Sequence, residues 1–223
     1  DNPTLPHWDE GGREQYYDRA LRYAEWQSTV EHKDWQFECT MRLFGWMRYS
    51  EKWGRNIRRF REASIWIPKK SKKTPTLAAW SLYLTCGDGE QGAKTFAGAK
   101  DGTQASIAMD HAIHMVERSP VLNAECKINQ NEKSITHLAT RSKYRPLSSN
   151  DSRHQEAKEG LNGNLSIDET HVVDQKFINR TDRMGISRSE PMQTEVSTAG
   201  TNPDGYGKKR QDYARKVESG EEV

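Results

Sequence analysis

The 223-residue chain carries 34 Lys and Arg against 32 Asp and Glu, a formal net charge of +2. Leu, Ile, Val and Phe make up about 15% of it, below the roughly 20% usual for packed domains, yet the strong net charge that accompanies disorder is missing, so a globular domain with a thin core is expected. No apolar run approaches the roughly 20 residues of a membrane helix and no hydrophobic signal segment opens the chain, so the expectation is a soluble, intracellular protein. Cys39, Cys86 and Cys126 are widely spaced and form no CxxC pair, which argues against a disulfide framework or a zinc cluster.

All seven Trp lie in the first 80 positions. Within 12–50, Tyr16, Tyr17, Ala20, Tyr23 and Ala24 recur at helical spacing, as do Trp35, Cys39, Leu43 and Trp46, and predict two helices broken near Glu31–Lys33. From Arg42 to Lys73 there are eleven Lys and Arg against Glu51 and Glu62, a local net charge of +9 that favours a polyanion or, failing one, forms a solvated basic face. Ala63–Ile67 reads as a buried strand ended by Pro68. A helix follows, with Thr74 as its cap and Pro75 at its first position, running to Gly87. Further along, Lys94–Ala97 reads as a strand, Asp101–Glu117 as an amphipathic helix, and 125–138 as a hairpin about Asn129–Glu132. Leu165–Ile167 and Met192–Ser197 read as strands, Phe177–Ser187 and Tyr206–Glu218 as helices. Strands alternating with helices predict an α/β fold with a mainly parallel sheet covered on both faces, preceded by an N-terminal helical segment.

Three segments could carry chemistry, each directly after a predicted strand, where open α/β sheets bind ligands. In 68–74 (PKKSKKT), Lys73 could reach outer phosphates and Thr74 could place a hydroxyl on Mg²⁺. The usual GxxxxGK[ST] pattern would need glycines where Ile67 and Lys72 stand, so a Lys-rich surface turn competes with this reading. Asp168 and Glu169 end the second strand as a pair able to hold a metal and polarise water, although adjacent acids also arise by chance. Ser197–Asn202 offers small hydroxylated side chains that could sense a terminal phosphate, or form an ordinary turn. His111 and His114 lie three apart on a helix with no third ligand evident.

Ile65–Tyr83, Gly160–Asp174 and Ser197–Lys208, with Trp35-Gln36, Leu43–Trp46 and Arg58–Arg61 upstream, together resemble the ATPase domain of tailed-bacteriophage large terminase subunits, the DNA-packaging motors. The resemblance runs from about residue 30 to the end of the chain and rests on the order and spacing of the motifs. It implies a P-loop NTPase fold, with a helical lead-in at 1–50 and the ATPase domain at 51–223. It implies ATP hydrolysis with Mg²⁺ to drive double-stranded DNA into a procapsid, in a homo-oligomeric ring on a portal protein, supplied by a small terminase subunit in the host cytoplasm. By position, Lys69, Lys70, Ser71, Lys72, Lys73 and Thr74 would form the phosphate loop, with Lys73 catalytic and Thr74 and Asp168 on the metal. Glu169 would activate water, Gln36 would read adenine, and Ser197, Thr198 and Ala199 would couple hydrolysis to motion. A trans-acting Arg could be any of Arg141, Arg145, Arg153, Arg180, Arg183 and Arg188.

Three departures from the family pattern stand out. Lys72 occupies a position where the family has Gly. Asn164 and Ser166 place polar groups in a buried strand, where each unpaired group costs about 1–3 kcal/mol. The family's nuclease domain has no counterpart here, so no DNA cleavage is expected from this chain, and the start at Asp1 suggests a fragment or processed product. These departures motivate an alternative, a catalytically impaired terminase fragment that binds DNA or portal without turnover. A helicase-type ATPase would need further motifs than the chain can hold.

Overall fold

The computed structural model describes residues 34–148, 162–181 and 184–221. The helix expected before Glu31 lies outside them, as do Arg153, Arg183 and the side chain of Arg180. In chain order the elements are α1 (Asp34–Gly45), β1 (Met47–Ser50), β2 (Arg55–Arg58), β3 (Glu62–Trp66), α2 (Lys73–Leu82), β4 (Lys94–Ala99), α3 (Gly102–Arg118) and α4 (Pro120–Glu125). Then come β5 (Cys126–Asn129), β6 (Ser134–His137), β7 (Lys143–Ser148), β8 (Asn164–Asp168), α5 (Gln175–Thr181), β9 (Gln193–Ser197) and α6 (Tyr206–Ser219).

Seven strands form one sheet in the order β3-β9-β8-β4-β7-β6-β5. The first five run parallel, and β6 and β5 add an antiparallel edge, so the fold is a mainly parallel α/β sheet. Two apolar clusters cover its faces. One joins Phe44, Leu77, Leu82, Tyr83, Met109 and Val116 to Ala97, Tyr144 and Val196. The other joins Phe96, Leu147, Leu165 and Ile167 to Phe177 and Ile178. Adjacent Phe96 and Ala97 therefore serve opposite faces, as the two-residue period of a strand requires.

Local chemistry explains the helix boundaries. Asp101 caps α3 by accepting from the Gln104 N–H, and buried Ala105, Ala108, Met109, Ala112 and Val116 repeat at helical spacing. Ser119 caps α4, with Pro120 at its first position. α1 docks on α2 partly through Trp80 Nε1, which donates to Thr40 Oγ1 at 2.8 Å.

Several expectations need correction. The helix predicted through residue 50 stops at Gly45, because 47–50 pair antiparallel with 55–58 as a hairpin. Helix α2 loosens at its end into a π-turn over Tyr83–Gly87. The helix predicted to Ser187 ends at Thr181. Strand β7 is not legible in the sequence because Pro146 interrupts it, although it is paired over six residues with β4. Polar Asn164 and Ser166 both have partners. Asn164 donates to Thr95 and accepts from the Met192 N–H, and Ser166 Oγ lies 2.7 Å from Ser81 Oγ and 3.0 Å from Thr194 Oγ1.

At the edge where β4 and β9 begin, Arg58 is buried against Asp88 and Glu190 and donates to the Glu190 carbonyl. Arg55 joins it, reaching Ser189 at 2.7 Å and Glu190 at 3.2 Å. This network fastens the β1–β2 hairpin to the sheet. Burial pushes the Glu190 carboxyl up to about 7 against the opposing pull of Arg58, and burial raises Asp88 as well. Between about pH 4.5 and 7 the folded state therefore keeps a proton that the unfolded chain releases, so stability falls as pH rises through that window. The thermal midpoint, followed by circular dichroism from pH 5 to pH 7.5, is expected to decline, and Glu190→Gln to flatten that decline.

Candidate nucleotide-binding site

Parallel strands β3, β8 and β9 deliver their C-terminal ends to one edge of the sheet. Trp66 pairs with Ser197, Asp168 pairs with Val196, and the Ile67 N–H donates to the Ser197 carbonyl at 3.0 Å. Residues 67–72, 169–172 and 198–205 leave from that edge and build the site.

The loop after β3 turns with Lys70 and Lys72 in left-handed backbone, φ 65° and 61°. Lys72 thus adopts the conformation that a glycine would take freely, at a cost of about 1–2 kcal/mol. It is also the residue that opens α2, without a side-chain cap, which corrects the expectation that Thr74 caps this helix. Thr74 is instead the second residue of α2 and donates to Asp168 Oδ2 at 2.5 Å. Pro75 sits third rather than first, still among the first four positions whose N–H groups have no intrahelical partner. Lys69 and Lys70 are exposed, Ser71 and Lys72 half-buried, and Lys73 buried. Gln36 of α1 donates to Thr76 Oγ1 at 2.5 Å, and Thr76 donates to the Lys72 carbonyl at 2.9 Å, which places the Gln36 amide beside the loop.

From β8 come the two acids. Asp168 Oδ1 accepts from the Glu169 N–H at 2.9 Å, and burial raises its carboxyl while the bond from Thr74 and the charge of Lys73 oppose the rise. Glu169 leaves the strand in left-handed backbone, φ 53°. Its Oε1 lies 3.0 Å from Lys73 Nζ, and its Oε2 is buried without a hydrogen bond. Ser197, at the end of β9, donates to the Thr198 carbonyl at 2.9 Å; Thr198 is buried and Ala199 exposed.

The structure thus gathers Lys73, Thr74, Asp168, Glu169, Ser197 and Thr198 at one edge. It also adds a residue that the sequence reading missed. His171 places Nδ1 3.0 Å from Ser197 Oγ and 3.2 Å from Glu169 Oε2, and its backbone N–H meets the same Ser197 oxygen at 3.1 Å. The available signal was its position two residues past Glu169, in the turn that a strand-end carboxylate must share with its neighbours.

The arginines differ in their surroundings. Arg188 is ion-paired with Glu90 at 3.0 Å and donates to the Gly92 carbonyl, Arg145 lies over the Phe96 ring at 4.9 Å, and Arg141 is exposed. His111 is half-buried and His114 exposed; burial lowers the His111 pKa. Among the described residues no three His, Cys, Asp or Glu side chains gather as a metal site.

The edge nonetheless suits a Mg²⁺-bound polyphosphate. Such ions usually take one or two protein oxygens and complete their shell with phosphate and water. The Thr74 hydroxyl and the Asp168 carboxylate, 2.5 Å apart, are a donor set of that kind. Glu169 Oε2, which makes no hydrogen bond, has spare capacity to accept one.

The chain matches the family of terminase large subunit, ATPase domain, over residues 34–216. Among solved structures, the large terminase of bacteriophage HK97 superposes with a TM-score of 0.73 at 20% identity, covering 91% of this chain and 41% of that one. The large terminase ATPase domain of Thermus phage P74-26 gives 0.50 at 15% identity, covering 78% and 72%. The ADP complex of the large terminase from a thermophilic bacteriophage gives 0.50 at 10%, covering 71% and 38%. These likenesses concern the fold, and the chain spans under half the length of the HK97 protein. No curated protein sequence matches it.

The left-handed Lys72 generates a prediction. Lys72→Gly relieves the strain but loosens the unfolded chain, for a net stabilisation of about 1 kcal/mol. Urea denaturation of both forms measures the difference.

Proposed function

The chain belongs to the terminase large-subunit ATPase family, and from that premise we propose that it is the ATP-hydrolysing part of a motor that drives double-stranded DNA into a procapsid. The observation that carries this reading is the meeting of the β3 loop with the end of β8: Thr74 on Asp168 at 2.5 Å and Lys73 on Glu169 at 3.0 Å.

In this reading the ATP phosphates lie at the start of α2, where backbone N–H groups and the ammonium of Lys73 receive them. Lys69, Lys70, Ser71 and Lys72 form the loop around them, and Gln36, beside that loop, reads the base. Thr74 and Asp168 hold Mg²⁺, which when bound neutralises charge on the phosphates. Glu169 orients the attacking water and accepts its proton through Oε2. Ser197, Thr198 and Ala199 lead from this edge to α6 and carry the state of the site to the rest of the motor.

Exposed Arg48, Lys52 and Arg59, on and beside the β1–β2 hairpin, belong to the +9 segment and suit a duplex's phosphates. A portal protein, a small terminase subunit, a homo-oligomeric ring, an Arg from the neighbouring subunit and the host cytoplasm complete the setting. Among the described residues no helix is long and apolar enough to cross a membrane. The left-handed backbone of Lys72 favours turnover over the impaired-fragment alternative, because the loop turns as it would with Gly.

Glu169→Gln is expected to lower DNA-stimulated ATP hydrolysis by about 100-fold or more while calorimetry still detects ATP binding. Equal rates for the two chains would sink the assignment.

A further inference from the structure

His171 stands outside the set of residues used above, yet it touches two of its members. Where the Ser197 hydroxyl donates to the Thr198 carbonyl at 2.9 Å, its Oγ is left to accept, and a hydrogen on His171 Nδ1 completes the 3.0 Å contact between them. That one N–H faces two acceptors, Ser197 Oγ at 3.0 Å and Glu169 Oε2 at 3.2 Å, and of the two only Ser197 has the hydrogen bond. The other oxygen of Glu169 is held by Lys73.

The surroundings are tight. A Cβ at Gly200 would lie 2.7 Å from His171 Cβ, and one at Gly207 would lie 2.8 Å from His171 Cα. The turn after β9 and the start of α6 are therefore packed closely against this residue.

We propose that His171 is a positioning residue that hands the state of Glu169 to the turn at 198–205. The inference rests on the ATPase reading above. With Lys73 on Glu169, the Nδ1 hydrogen stays on Ser197. When Lys73 is drawn to the substrate's phosphates, Glu169 loses its ion pair and its Oε2 accepts a hydrogen bond from Nδ1–H, which keeps its proton. The carboxylate is then held for water activation, and Ser197 is released from the ring. Binding at one strand end thereby becomes a change at the next, without any change of protonation.

The test compares the full wild-type chain with His171→Leu, which keeps bulk and loses the donor, and His171→Asn, whose side-chain amide restores a donor near Nδ1. His171→Leu is expected to lower kcat for ATP at least tenfold, with KM and the affinity for a non-hydrolysable ATP analogue within about twofold; His171→Asn recovers most of the loss. Hydrogen exchange supplies a readout independent of turnover. Adding the Mg²⁺-bound analogue changes protection across 198–207 in the wild type and in His171→Asn, and leaves it unchanged in His171→Leu. Should His171→Leu fail to fold, Ser197→Ala removes the acceptor instead and is expected to lose the same exchange response. A wild-type-like kcat and exchange response in the donorless variant would overturn this inference alone. A wild-type chain that binds no ATP would overturn the ATPase reading with it.

Discussion

The ion pair between Lys73 and Glu169 bridges segments that are almost a hundred residues apart and start from different strands. Neither end is free to move alone. Lys73 is buried at the first position of α2, and Glu169 follows directly on a strand buried at every position. The pair is possible only because β9 lies between β3 and β8, all three parallel, so that their C-terminal ends emerge together. Beside it the Thr74 to Asp168 bond closes the same gap, and between them the two contacts fix the distance from the start of α2 to the end of β8. An ammonium already committed to a carboxylate must be drawn off by a stronger anion. On the ATPase reading proposed above, such a resting site would discriminate in favour of polyphosphates.

A thin core supports this edge because the polar side chains of β8 are paired with those around them. Ser81, Ser166 and Thr194 form a hydroxyl chain from α2 through β8 to β9, and Asn164 bonds to β4 on one side and to the start of β9 on the other. Each such group left unpaired would cost about 1–3 kcal/mol, so the low aliphatic content is tolerable only with this pairing. The pairing has a second effect. Hydroxyls at fixed separations lock the register of β8 against its neighbours more sharply than apolar contacts do, and register decides where Asp168 ends.

Much of this was legible in the sequence, for identifiable reasons. Strand-ending segments with polar continuations at Pro68, Asp168 and Ser197 announced the edge, and helical periodicity placed α3 and α6 nearly to the residue. What escaped shares a different cause. Strand β1 reads as helix because Leu43 and Trp46 continue a helical period that is stopped in space, where Arg58 of its partner strand buries against Asp88 and Glu190. Strand β7 is hidden by Pro146, which the parallel ladder accommodates. His171 is invisible as a partner of Ser197 because 26 residues separate them and only the pairing of β8 with β9 brings them within 3.0 Å. Long-range pairing decides each case, and no local pattern encodes it.

Backbone strain in this molecule is not scattered at random. Of the five non-glycine residues with positive φ among those described, three lie at the site: Lys70, Lys72 and Glu169. Each such residue stores roughly 1 kcal/mol or more, which a marginal fold keeps only where other contacts hold it in place. For Lys72 the restraint is its carbonyl, which accepts from Thr76; for Glu169 it is the Asp168 carboxylate on its N–H and Lys73 on its side chain. The contacts that hold the strain are thus the ones a nucleotide would disturb. Drawing Lys73 away loosens the side-chain restraint on Glu169 and leaves the Asp168 bond to its N–H. The strained turn between β8 and His171 then bears directly on the two glycines packed against that residue. In the proposed relay, loss of one ion pair would be converted into displacement of an adjacent segment, because the turn that must yield is the one already held off its preferred conformation.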